Sequence, residues 1–448
     1  MNDGLMQSLA SVLGEVGRRS LAATTLEAAK SKLMHALGVS LSSSQLAPPV
    51  AVWQMMKQGS GDCLVIGQGQ RLSADDAAFV NGVTGHSSLL EDAGPGGLRE
   101  GSHPGPYIIP AALAAAEAGH FSGARFLAGL VVGYEAVTRV GAAAPASIVS
   151  RRFRPLGIMG PIGAAAAVAT VLGADDRQLA AALSIATNMS AGTTQGIFEG
   201  SMEPYIQAGM GARNGLFAAR LGLSNVLTAG QSLEGDFGFF QTYGGEAGDA
   251  DRLLAPSTRL GIEQVGIKQF AACLQNQHTV GLILKHLPQP LEAEAIERVT
   301  IIRPQAGTNG LNSPGVSRSL PFNNMLEAQM SARFTAAAAL LGLPVDDPMF
   351  FQRSFGDARI AALTARMDLV PAADESVVVS VLLRSGQMIR LEDASLNVLG
   401  PSVDHLRAKF LQRTRPLLGD QADVALACIE DLENLADVGV LTRSLTIP

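Results

Sequence analysis

GIMGPIGAAAAVATVLGA, residues 157–174, runs 18 positions without a charge, the length at which a membrane span has to be considered. Its make-up argues otherwise. Gly and Ala dominate rather than Leu and Phe, Pro161 interrupts the run, and Asp175, Asp176 and Arg177 follow at once. Small residues let helices approach closely, so the stretch reads as a tightly packed helix inside a compact helical body. The helix itself is expected over Gly160–Leu172, and segments of the same texture lie around it: Ser73–Leu90, Pro110–Ala118, Gly123–Gly141, Asp176–Ala191 and Ala208–Leu221. Ser73 and Ser122 stand where N-caps belong. A longer helical pattern covers residues 5–40, and Asp62–Arg71 reads as a strand and turn.

The texture changes near residue 295. IERVTIIR (296–303) alternates and is β-branched, and SVVVSVLLRSGQMIRL (376–391) reads as a hairpin turning at Arg384-Ser385-Gly386. Helical patterns at 324–341 and 356–368 lie between them, and helix returns after Pro401. The fold class is therefore mainly α: a large discontinuous all-helical domain, 1–266 plus 398–448, and a smaller α+β lid domain, 267–397. A cleft between two such units is where an active site is expected.

Composition narrows the function. The 448 residues are 47% hydrophobic and 16% charged, with mean hydropathy +0.23, so the chain buries a large core and is not disordered. A net charge of −7 argues against nucleic acid and anionic membranes as partners. The three cysteines form no pair or metal ladder, and the seven histidines show no HxH or HExxH spacing, so no metal is expected. With no signal-peptide pattern at the N-terminus, the expectation is a soluble cytoplasmic protein. Gly67 and Gly69 resemble the start of a dinucleotide fingerprint but lack its third glycine.

Four polar patches interrupt the apolar chain. The first runs from Asn81 through His86 to Glu91 and Asp92, then to Ser102-His103-Pro104-Gly105, which puts His103 in a loop entering a helix. In the second, Arg151, Arg152 and Arg154 fall within four residues. They are either a solvated face or the forks of a polycarboxylate pocket. Tyr205 and Gln207 at a helix start make the third, as capping residues or as carboxylate ligands. The fourth holds Lys268, one of only six lysines, flanked by Val265, Ile267 and Phe270. Burial there would lower its pKa toward that of a base; alternatively its stem packs and its head stays in water. Cys273 nearby has no recognised catalytic partner.

Taken together, NGVTGHSSLLED…SHPGPYIIPAALAAAEAGHFSGARFLAGLVVGYEAVTRVG, then AGMGARNGLFAARLGL, SLEGDFGFF, GIKQF and LEAQMSARFTAAAALL, resemble the MmgE/PrpD family over most of the chain. The resemblance implies an all-helical domain with an α+β lid, a homodimer, no redox cofactor, and a small polycarboxylate substrate. It places His103 at the family's HPG histidine and Lys268 at its late catalytic lysine. The sequence departs elsewhere. Leu89 and Ala93 stand where dehydratase and decarboxylase members carry Asp and Thr, and Arg154 replaces a histidine. Pro204 and Gln207 replace the Lys and His of a KxxHxG motif, and Phe334 stands in for a tyrosine.

Losing several proton-transfer groups while keeping Lys268 favours simple chemistry. The resemblance is closest to the iminodisuccinate epimerase branch. The resulting expectation is an isomerase: a cofactor-independent epimerase of an amino-polycarboxylate. Lys268 and His103 act as two bases on opposite faces. Arg154 anchors the substrate with Arg151, Arg152, Tyr205, Gln207, His86 and Asp92. The alternatives are a dehydratase or decarboxylase of a citrate- or aconitate-like acid, and a non-catalytic polycarboxylate-binding protein.

Overall fold

The structure is a computed structural model that describes residues 4–94 and 102–447. Its larger part is helical, in the order α1 (Leu5–Arg18), α2 (Ala23–Ser43), α3 (Ala47–Met56), α4 (Ala74–Ser87), α5 (Gly105–Ala118), α6 (Gly123–Ala143), α7 (Pro155–Leu172), α8 (Asp176–Thr187) and α9 (Glu203–Leu223). Helix α9 packs along α7, α4, α8 and α5, and α7 packs along α6. The Gly/Ala texture is what permits this. A Cβ placed on Gly211 would come 3.0 Å from the Cα of Gly160, and one on Gly215 would come 2.3 Å from the Ala164 Cβ. The α7 and α9 backbones therefore meet where only hydrogen or a methyl fits. Helices α6 and α7 are long and apolar enough to cross a membrane, yet 83% of each apolar window is buried within the fold.

Several sequence boundaries shift. Helices α5 and α7 begin five residues earlier than expected, with Pro106 and Pro155 in their first turns, and both run on through Pro110 and Pro161. A proline favours a boundary, but packing on every side of these helices outweighs the lost hydrogen bond. The pattern over 5–40 divides at Arg19–Ala22 into α1 and α2. The 324–341 pattern likewise divides, at Ser331, into two helices, Met325–Met330 and Ala332–Leu340, and Ser331 caps the second. Ser73 and Ser122 do cap α4 and α6, each accepting a backbone N–H. Of the stretch that joins Glu91 and Asp92 to Ser102–Gly105 in the first polar patch, residues 95–101 lie outside the described residues.

Two short ladders accompany the helices. β1 (Cys63–Leu64) pairs with β2 (Arg71–Leu72), and β3 (Asp92–Ala93) pairs antiparallel with β4 (Gly266–Ile267). A four-stranded sheet holds β5 (Ile296–Arg303), β6 (Met367–Pro371), β7 (Val378–Leu383) and β8 (Met388–Glu392), in the order β6-β5-β7-β8. β5 pairs parallel to β6 and antiparallel to β7. The hairpin turns at Arg384–Gly386, with Gly386 at φ +84° as a tight turn requires. The 356–368 pattern ends early because Met367 already belongs to β6. Helix α10 (Gln277–His286) covers β7 and β8 and packs on α12 (Ala332–Leu340), which follows α11 (Met325–Met330). The chain then returns to the helical body through α13 (Val403–Leu418), which buries Leu406, Phe410 and Leu418 and packs on α2.

The β3–β4 ladder is what positions the site. Asp92 lies opposite Ile267, so the residues just outside the ladder, Glu91 and Lys268, become neighbours although 177 positions separate them.

Candidate active site

Glu91 is the hub. Lys268 Nζ donates to its Oε1 at 2.6 Å, and the Nδ1 atoms of His103 and His86 lie 3.2 Å and 3.4 Å from the same oxygen. Each residue is delivered differently. His86 sits in the last turn of α4, Lys268 directly follows β4, and His103 precedes α5 with φ +48°, in the left-handed region that turns its ring inward. Both members of the ion pair are buried, at 1% and 4% side-chain exposure. Breaking either would strand a charge in apolar surroundings.

Electrostatics assign the protons. Burial alone would raise the Glu91 pKa, but Lys268, His86 and His103 together hold it well below the usual carboxylate range. Burial lowers His86 to about 4 and His103 to about 3, with Glu91 opposing both shifts. Both rings are therefore neutral at pH 7. Arg154 Nη2 donates to His86 Nε2 at 2.5 Å, which leaves the His86 proton on Nδ1, facing Glu91. His103 Nδ1 donates to the Asp92 carbonyl at 2.9 Å, which leaves the Nε2 lone pair free. A neutral imidazole held this way is a proton acceptor.

A cavity of about 320 Å³ opens beside this cluster, lined by His103, Lys268, Arg152, Arg154, Leu89 and Cys273 among others, with an apolar wall that includes Leu326 and Met330. Arg154 is 4% exposed. Its Nη1 donates to Pro204 O and, at 3.1 Å, to Gln207 Oε1. Its Nε–H and one Nη2–H carry no partner among the described residues. Those two donors form one side of the guanidinium fork, which matches a single carboxylate. Burial lowers its pKa to about 10, so the charge persists at neutral pH.

The structure thus brings Lys268, His103, Arg154 and Arg152 to one cavity. Other expected ligands take supporting positions. Gln207 holds Arg154, and His86 links Arg154 to Glu91. Tyr205 is buried and donates to Gln329 Oε1 at 3.1 Å. Asp92 does not face the cavity: its Oδ1 accepts from Gly105 N–H at 2.9 Å and its Oδ2 from Tyr134 OH at 2.5 Å, securing the start of α5. Arg151 also lies outside it, exposed, with its guanidinium 5.9 Å from the Phe153 ring. The alternative in which the Lys268 head stays in water does not hold, since its ammonium is buried against the carboxylate of Glu91. Phe334 packs among Phe322, Phe350 and Phe351 rather than in the cavity. Leu89, by contrast, lines the cavity where the family's acidic motif would put an acid.

In the sequence Glu91 stands out only as half of an acidic pair with Asp92. Its spacing from His86 was a usable signal. Gln329 and Tyr134 reach the site from remote helices; both lie within the quoted family motifs, but nothing in their local sequence marks them as partners of the site.

Comparison with known proteins agrees with the resemblance. The MmgE/PrpD N-terminal domain family matches residues 7–250, more than half of the chain. Cis-aconitate decarboxylases of Homo sapiens and Mus musculus are 27% identical over 403 residues and 28% identical over 410. Each alignment covers 84% of this chain and 80% of the relative. A cis-aconitate decarboxylase-like protein of Aspergillus oryzae is 34% identical over 193 residues, 41% of this chain and 39% of its own. These relatives are named as decarboxylases, which are lyases, and that overturns the isomerase class expected from the sequence. The expectation rested on proton-transfer groups the chain lacks, and the loss of groups does not choose between reactions.

Proposed function

The chain belongs to the MmgE/PrpD family, and from that premise we propose that it is a lyase acting on a small unsaturated polycarboxylate of the cis-aconitate type, removing one carboxylate as CO₂, with 267–397 as a lid over the cavity. One observation carries the reading. Lys268, His103 and Arg154 face a single cavity whose wall also holds the apolar Leu89, Leu326 and Met330. Decarboxylation gains from such an apolar wall, which strips the departing carboxylate of water. The names of the relatives support the same choice.

The reaction then runs as follows. The free side of the Arg154 fork anchors one carboxylate, and another lies along Leu89, Leu326 and Met330. The C–C bond to that carboxylate breaks and CO₂ leaves. Its electron pair spreads through the adjacent double bond toward a retained carboxylate, with Lys268 and Arg154 stabilising the growing charge. Lys268 gives a proton to the far carbon of the allylic system. His103, with 13% side-chain exposure, relays a proton from solvent to restore the ammonium, which Glu91 holds in place. One CO₂ departs and one proton enters.

Incubation with cis-aconitate in D₂O, followed by NMR and CO₂ capture, tests this. The expected result is CO₂ release with one carbon-bound deuterium in the product. Water exchange on citrate-like acids without CO₂ would establish dehydration instead. Affinity without turnover would leave a binding protein.

A further inference from the structure

Part of the cavity wall is made by Gln275 and by the segment holding Ala306, Gly307 and Asn312. Behind it, at the end of β5, lies Arg303, the largest fully buried side chain among the described residues. Its Nε–H donates to Asn309 O at 2.5 Å, Nη1 donates to Asn276 Oδ1 at 3.1 Å, and Nη2 donates to Gln275 O. Asn276 in turn donates to Met330 O at 3.0 Å, tying in another cavity-lining residue.

Every one of these acceptors is neutral, and no carboxylate pairs with Arg303 among the described residues. Its charged or titratable neighbours are the Cys273 thiol, raised by burial, and His278, lowered chiefly by burial and further by Arg303 itself. Burial brings the guanidinium only down to about 10, so it stays charged at neutral pH. Two of its five N–H donors remain without a partner among the described residues. A buried charge without a counter-ion is costly, and an apolar side chain would hold the same end of β5 more cheaply.

We propose that Arg303 is a specificity-determining residue whose charge, set one layer behind the cavity wall, is balanced by a ligand carboxylate and so selects acids carrying a third carboxylate over those with two. Arg154 takes one carboxylate inside the cavity, the wall of Leu89, Leu326 and Met330 takes a second, and the Arg303 field favours the third at the wall formed by Gln275 and Asn312. This role rests on the polycarboxylate reading above.

Calorimetric titration with tricarballylate and with succinate, neither of which can be turned over, tests the role. Arg303→Met is expected to weaken tricarballylate binding on the order of tenfold and succinate binding much less, while Arg303→Lys stays near wild type on both. Arg303→Gln replaces the Met variant if that does not fold. Unchanged affinities, or equal losses on both acids, would overturn the charge role. Wild-type protein that binds neither acid would sink the polycarboxylate reading and this role together. Wild-type binding with unaltered variants would sink this role alone.

Discussion

Replacing Glu91 with Gln keeps the shape of the hub and removes its charge. Lys268 would then be left as a buried ammonium beside a neutral amide, while His86 and His103 would lose the carboxylate that opposes their desolvation. Removing one partner of a buried pair costs about 3–5 kcal/mol. An amide oxygen still accepts a hydrogen bond, so the lower end of that range is expected. Urea titration at pH 7 measures it as a fall in midpoint at constant slope. Turnover should fall as well, by roughly 10²- to 10⁴-fold, the usual worth of a positioned acid–base group, because Glu91 holds Lys268 in its donor position. A stability change under ~0.5 kcal/mol, within the range of ordinary surface substitutions, would refute the ion pair. A large stability loss with unchanged turnover would show that Glu91 only holds the fold.

Arg154→Lys should raise KM at least about tenfold with a smaller effect on kcat, because a point charge cannot replace the two-pronged contact; steady-state kinetics decides, and an unchanged KM refutes the anchor. Lys268→Met and His103→Asn should each lower kcat by about 10²- to 10⁴-fold, while tricarballylate still binds. Near-normal rates in both would place the proton transfer elsewhere. Stability should also depend on pH in a defined direction. The folded values of His86 and His103, about 4 and about 3, lie below the ordinary 6.5. The unfolded chain therefore takes up protons that the folded protein refuses. Stability is full above pH 6.5 and falls with pH by about 1.4 kcal/mol per unit for each ring. The depressed Glu91 adds a further loss below its ordinary 4.5. Chemical denaturation from pH 8 to pH 4 measures this, and a flat profile between 6.5 and 4 would contradict the buried neutral rings.

Local chemistry made much of the architecture legible. Ser73 and Ser122 cap the helices they were expected to cap, and the alternation of 296–303 is a strand that buries Ile296, Val299 and Ile301. Those features depend on neighbours a few residues apart, within reach of a periodicity argument. Helix starts at Pro110 and near Pro161 were misjudged because a proline's local preference was outweighed by packing far along the chain.

The sequence by itself determined the helical body, the later β-rich segment, and a set of residue types suited to a carboxylate-binding site: His103, Lys268 and Arg154. It also carried the family motifs. What it did not determine is which of those groups touch. Only the two-residue β3–β4 ladder sets Glu91 against Lys268, and that contact turns a lysine read as a lone base into half of a buried ion pair. Arg151 and Arg154 are three positions apart, yet one is exposed and the other is 4% exposed at the cavity edge, because Pro155 starts a helix that draws Arg154 inward. Charge, burial and protonation depend on distances through space, and those distances exist only once remote segments have packed.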